Sequence, residues 1–238
     1  MPGHNRTLAV AAVALFVTLG ACSSANGPTA TPAGSGGPAI VVSESRRSLF
    51  HGTTLDPPLP RPTQILRDTS GRTFSIADRP DDELTVLFFG YTHCPDLCPT
   101  TMADLASARG QLPASQRGRV TVVFVTEDPE RDTPGPLRRW LDGFDPAFVG
   151  LSGGNTATQA MLKQLYLPQT RRLPHPEDPI EHPDDGGPHH DHDTYGVEHS
   201  GVVYAFGPGD STLIYSGGTK PAEYAADFSR LITSNGER

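Results

Sequence analysis

Leu84-Thr85-Val86-Leu87-Phe88-Phe89-Gly90-Tyr91-Thr92-His93-Cys94-Pro95-Asp96-Leu97-Cys98-Pro99-Thr100-Thr101 carries the strongest signals in the chain. Its first eight residues form an almost unbroken apolar run, rich in β-formers. A short run of that kind predicts a strand buried on both faces, as at the centre of a parallel sheet. Residues 101–109 then read as a helix, with Pro99 suited to its first turn. Between strand and helix lie two cysteines in a C-x3-C spacing, and Pro95 and Pro99 limit the freedom of that loop.

Outward from this stretch, order is expected to begin near residues 40–50. Residues 64–67 and 72–76 flank Asp68-Thr69-Ser70-Gly71 and read as a hairpin. Residues 120–125 (VTVVFV) predict a second buried strand. A short helix is expected over 136–142, a strand over 148–151, and a helix over 155–167 with Asn155 or Thr156 as its cap. Residues 201–206 and 212–216 surround Gly207-Pro208-Gly209-Asp210 as a second hairpin, and 221–232 closes the chain as a helix. Alternating strands and helices imply right-handed crossovers on a parallel sheet, and the terminal hairpins make that sheet mixed. An α/β, thioredoxin-like three-layer sandwich fits this order. Periodicity alone leaves a flavodoxin-like domain open.

The chain has 238 residues, and Gly and Pro contribute 25 and 24 of them, so part of it reads as linker. A net charge of -8 offers no cationic footprint for nucleic acid. Three cysteines cannot make a disulfide-rich scaffold. The first of them, Cys22, follows a short basic segment, an apolar run over 8–19 and the small residues Gly20 and Ala21. Twelve helical residues rise about 18 Å, short of a bilayer core of about 30 Å. Residues 1–21 therefore read as a signal peptide. The pattern resembles a bacterial lipobox, which implies cleavage before Cys22 and its acylation. Residues 22–45 then form a Ser/Gly/Pro-rich flexible tether, and 46–238 the folded domain. The expected location is the extracytoplasmic face of the bacterial cell membrane.

Placed where a strand gives way to a helix, Cys94 and Cys98 meet unpaired N–H groups and a helix dipole that favour thiolate. The spacing lets both sulfurs face one point, as a disulfide or as two soft ligands. Two thiolates are a good partial site for Cu(I), and an added imidazole lets the site also hold Cu(II). In a thioredoxin-like sheet, the loop feeding the second hairpin can present His199 to both cysteines. His93 adjoins Cys94, but strand geometry turns it away. Asp128 and Asp132 are expected to cap or brace the loop before the next helix.

Residues 88–101 are similar to the signature of the Sco/SenC copper chaperone family. Supporting matches are Asp128-Pro129-Glu130-Arg131-Asp132-Thr133-Pro134 and Glu198-His199-Ser200. The resemblance implies a thioredoxin-like fold and copper held by Cys94, Cys98 and His199. It also implies a role in building the binuclear copper centre of cytochrome c oxidase, with subunit II as acceptor. Glu198 stands where the family usually has Asp; Asp96 and Glu198 are the carboxylates expected to steer the ligands. Two other functions use the same residues. A thiol–disulfide oxidoreductase would attack with Cys94 and resolve with Cys98; that would be its only enzymatic activity. A redox or copper sensor is the third reading.

Residues 173–193 (LPHPEDPIEHPDDGGPHHDHD) hold five histidines, seven acids and five prolines. Such a segment cannot bury apolar surface and reads as a mobile insert. His175, His182, His189, His190 and His192 are candidate auxiliary metal ligands.

Overall fold

The structure, a computed structural model, describes residues 49–174 and 195–234. The expected signal peptide (1–21), Cys22, the expected tether, the expected start of order at 40–48 and the five insert histidines lie outside them. The described residues all fall within the unit Ala39–Arg238.

The buried run becomes β4 (Leu84–Gly90), and every residue in it is buried. It pairs in parallel with β5 (Val120–Thr126) over its whole length and antiparallel with β9 (Val203–Gly207). Strand alternation sends Leu84, Val86 and Phe88 into one core, and Leu87 and Phe89 into another. That double burial is why the run shows no polar alternation. The first core is closed by α1 (Leu97–Gln111), α3 (Pro134–Asp142) and α5 (Pro221–Ser234). Met161 and Leu162 of α4 (Gly154–Gln164) fill the second. Helices therefore cover both faces of the sheet, as the three-layer reading requires.

The sheet has eight strands in the order β1-β10-β9-β4-β5-β6-β2-β3. Here β1 is Thr53–Thr54, β2 Ile65–Asp68, β3 Thr73–Ser75, β6 Val149–Ser152 and β10 Ser211–Tyr215. The two expected hairpins, β2–β3 and β9–β10, lie towards opposite edges and make the sheet mixed. In the second hairpin the turn takes Gly209 and Asp210 into the left-handed region, φ 65° and 56°, which Gly and Asp tolerate best. The carboxylate of Asp227, fully buried on α5, accepts the N–H groups of His51 and Gly52 and the hydroxyl of Tyr215. It thereby fastens the chain ahead of β1 to the last helix.

Three details differ from the expectations. Helix α1 starts at Leu97 rather than at 101, because Pro99 in the first turn has no N–H that the helix would miss. Helix α4 starts at Gly154 after Gly153, with no side-chain cap, so neither Asn155 nor Thr156 plays that part. A Cβ on Gly153 would lie 3.1 Å from Leu66, so close packing against β2 places a glycine there. Finally, β7 (Arg171–Pro174) and β8 (Tyr195–Glu198) form a separate two-stranded ribbon. Leu173 and Pro174, counted above in the insert, belong to it. The short helix α2 (Ala114–Arg117) links α1 to β5.

Candidate metal centre

The first turn of α1 carries Cys98, whose backbone N–H points at the Cys94 sulfur from 3.4 Å. Cys94 sits in the loop between β4 and α1, its own N–H bonded to the Tyr91 carbonyl at 3.2 Å. Cys98 is fully buried and Cys94 nearly so. Both cysteines are free thiols. Gly90, the last residue of β4, makes room for them: a Cβ there would lie 2.5 Å from the Cys98 sulfur.

His199 follows directly on β8. Its Nε2 is 3.6 Å from each sulfur. Its Nδ1 lies 3.2 Å from the Ser200 carbonyl oxygen, which can only accept. Nε2 is thus the ring nitrogen that faces the two sulfurs. The rings of Tyr91 and Phe88 stand edge-on to the imidazole at 5.4 and 6.4 Å. Among the described residues, Cys94, Cys98 and His199 form the one group of three metal-ligating side chains whose ligand atoms converge, all within 4.8 Å.

The two thiols are electrostatically unequal. The Cys98 side chain, its backbone N–H, the Asp96 N–H and His199 all direct hydrogen bonds to Cys94; together they outweigh desolvation and lower its pKa to about 4. Cys98 is pushed far up by the neighbouring Cys94 sulfur and by burial. The resting pair is thus a thiolate at Cys94 and a thiol at Cys98.

Metal–ligand bonds of about 2.0–2.3 Å in a trigonal arrangement space the ligand atoms about 3.5–4 Å apart. The two 3.6 Å separations match that spacing, and two sulfurs with one imidazole suit copper in both oxidation states. The donor set and these two separations therefore fit a copper ion.

Other expected contributors lie elsewhere. Asp96 is exposed; among the described residues its carboxylate reaches only the Thr100 hydroxyl, at 3.5 Å, and it serves Cys94 through its backbone. Glu198 faces Arg171 across the ribbon and pairs with it at 2.6 Å. It is the Ser200 carbonyl, and not Glu198, that orients His199. His93 is half exposed and turned to Thr92 and Asp132. Glu127 went unnoticed in the sequence; it is buried, bonded to the Thr170 hydroxyl, and pushed up to about 7 chiefly by burial.

Replacing Gly90 with alanine is expected to displace the Cys98 sulfur and to crowd Phe124, 3.1 Å from the new Cβ. The overpacking should cost about 1–3 kcal/mol of stability. Metal affinity should fall more than the melting temperature implies, because the displaced atom is the sulfur itself. Thermal melts and metal titration of the same sample check this; unchanged affinity would show that the sulfur has room to move.

The family model described as SCO1/SenC matches residues 64–233. The mitochondrial SCO2 homolog of Homo sapiens is 31% identical over 166 residues, covering 69% of this chain and 56% of that one. A protein from Stutzerimonas stutzeri is 45% identical over 83 residues, 35% of this chain and 41% of its own length. The chain thus spans about half the length of these curated relatives. Among solved structures, ScoI of Bradyrhizobium japonicum with copper bound aligns with a TM-score of 0.55 at 26% identity, covering 71% of this chain and 96% of that one. Apo Sco1 of Thermus thermophilus aligns at 0.57 and 30% identity, covering 79% and 96%. These neighbours share the thioredoxin-like fold. Since the matched stretch takes in both cysteines, His199 and every strand of the large sheet except β1, the chain belongs to the SCO1/SenC family.

Proposed function

We propose that this protein is a copper metallochaperone that carries one copper ion on Cys94, Cys98 and His199. It hands the ion to the binuclear copper centre of cytochrome c oxidase, with subunit II as acceptor. The observation that carries the reading is the convergence of two sulfurs and one imidazole nitrogen at 3.6 Å separations. Transfer proceeds by ligand exchange, each acceptor thiolate or imidazole displacing one of the three donors. The site suits this, because Cys94 keeps a small exposure, 8%, whereas Cys98 is fully buried.

Titration of the reduced protein tests the assignment. A variant lacking residues 175–194 is expected to bind one copper ion, and its Cu(II) form should show a sulfur-to-copper charge-transfer band. The intact chain should bind more than one Cu(II), the excess held by the histidine tract. Equal stoichiometry would show that the histidine tract holds no auxiliary copper; absence of the band would sink the assignment itself. The acceptor assignment is tested by mixing the copper-loaded protein with a soluble apo subunit II domain. Copper retained by the donor against a competent acceptor would overturn it.

A second reading is favoured by the unequal thiols. A low-pKa Cys94 beside a protonated Cys98 is the arrangement of a disulfide reductase, which could prepare the acceptor's cysteines. Both activities would operate from the extracytoplasmic membrane face, to which acylated Cys22 anchors the chain. Cys22→Ala should move the protein from the membrane fraction to the soluble fraction. Retention on the membrane would refute the anchor.

A further inference from the structure

The motif at residues 128–134 supplies no metal ligand, yet it grips both halves of the site. Asp132, almost fully buried, accepts the Thr92 N–H at 3.0 Å, the Thr92 hydroxyl at 2.5 Å and the Thr126 hydroxyl at 2.6 Å. Thr92 lies two residues before Cys94, so this carboxylate ties the cysteine loop to the end of β5. Asp128, equally buried, pairs with Arg131 and accepts the Tyr195 hydroxyl at 2.6 Å.

Arg131 reaches the other half. Its guanidinium lies 3.6 Å over the Tyr195 ring, donates to the Tyr195 carbonyl at 3.0 Å and sits 5.8 Å from the Tyr91 ring. The backbone N–H of Val197 acts electrostatically on the Tyr91 hydroxyl, and the Tyr91 ring stands edge-on to His199. Tyr195 and Val197 belong to β8, whose last residue precedes His199. In the described residues β8 pairs only with β7, outside the large sheet. The imidazole thus hangs from a two-stranded ribbon, a marginal element when unsupported. The contacts of Arg131 and Tyr91 join that ribbon to the frame that holds the cysteines.

We propose that Arg131, paired with Asp128 and packed on Tyr195, is a positioning residue that keeps His199 in register with Cys94 and Cys98 and so sets the preference of the site for Cu(II) over Cu(I). The proposal rests on the copper reading above. Its chemistry follows from ligand softness. Two thiolates satisfy Cu(I), whereas Cu(II) also requires the nitrogen donor. Loosening the histidine half therefore penalises one oxidation state and spares the other.

The test compares the wild-type protein, Arg131→Gln, His199→Ala and the double variant. Readouts are Cu(II) affinity with its charge-transfer band, Cu(I) affinity by competition with a chelator, and the melting temperature of the apoprotein. Arg131→Gln is expected to weaken Cu(II) about tenfold or more, in the range seen when partners of metal ligands are removed. It should leave Cu(I) within about threefold, and it should have no further effect on Cu(II) once His199 is gone. Equal losses for both oxidation states, an unchanged Cu(II) affinity, or an undiminished effect in the His199→Ala background would each overturn it. If Arg131→Gln fails to fold, Tyr91→Phe supplies the same readouts. It keeps the ring that faces His199 and removes only the hydroxyl on which the Val197 N–H acts, with a smaller loss expected for Cu(II) alone; equal losses for both ions would overturn the proposal there too. A wild-type protein without the Cu(II) band would refute the copper reading, an outcome distinct from these.

Discussion

Replacing Cys94 and Cys98 together with serine is expected to abolish copper binding at this site in both oxidation states. Only the sulfurs can hold Cu(I), and one imidazole cannot retain Cu(II) against a competing chelator. The single variants should differ in kind. Cys94→Ser removes the group that is already a thiolate, with a pKa near 4, and so the first point of attachment for an incoming ion. Cys98→Ser removes the buried sulfur and places a hydroxyl in an apolar site, at about 1–3 kcal/mol of stability. The same inequality fixes a pH dependence. Above neutrality Cys94 is already ionised, whereas Cys98, raised by its neighbour and by burial, must lose a proton when metal binds. Apparent affinity should therefore rise about tenfold per pH unit between pH 7 and 8.5, and fall again on acidification. Metal analysis after dialysis against a chelator checks the substitutions, and competition titrations check the slope. A double-serine protein that still carries copper in the variant lacking residues 175–194 would show that the ion sits elsewhere.

Much of this site was legible because its chemistry and its fold share one stretch of chain. A short apolar run rich in β-formers reads as a doubly buried strand, and the cysteines stand where that strand meets its helix. The two hairpins were legible from their turn residues. His199 was placed by the expected fold together with Glu198 and Ser200, since nothing local marks a lone histidine as a ligand. The role given to Glu198 did not survive. Its neighbour in sequence is the ligand His199, but its neighbour in space is Arg171, set opposite by the register of the β7–β8 ribbon. That ribbon was not legible because its strands stand on either side of the histidine-rich segment. A pairing across so long and polar a separation leaves no periodic trace. Tyr91 and Arg131 were also hidden. A tyrosine closing an apolar strand reads as core, and an arginine among acids reads as a surface pair. Their contacts become visible only once β8 is laid against the loop after β5.

His199→Ala should separate the two proposed activities. Losing the nitrogen donor leaves two sulfurs, enough for Cu(I) but poor for Cu(II). Cu(II) affinity is expected to fall by about 10³, roughly 4 kcal/mol, with loss of the charge-transfer band, while Cu(I) affinity stays within about tenfold. Cys94 should keep most of its acidity, because the larger stabilising contributions, from Cys98 and the Asp96 N–H, remain. Reduction of a disulfide substrate should therefore continue at nearly the original rate. Copper delivery to an acceptor should fail whenever the ion is presented as Cu(II). The packing cost is small, since His199 is only half-buried, so a melt within a few degrees of the original separates lost chemistry from lost structure. If the variant delivers copper normally in both oxidation states, the histidine has no part in carriage, and the thiol pair alone must account for the function. If instead both delivery and disulfide reduction collapse while the melt is unchanged, His199 must govern the reactivity of Cys94 itself, and the two activities cannot be divided at this residue.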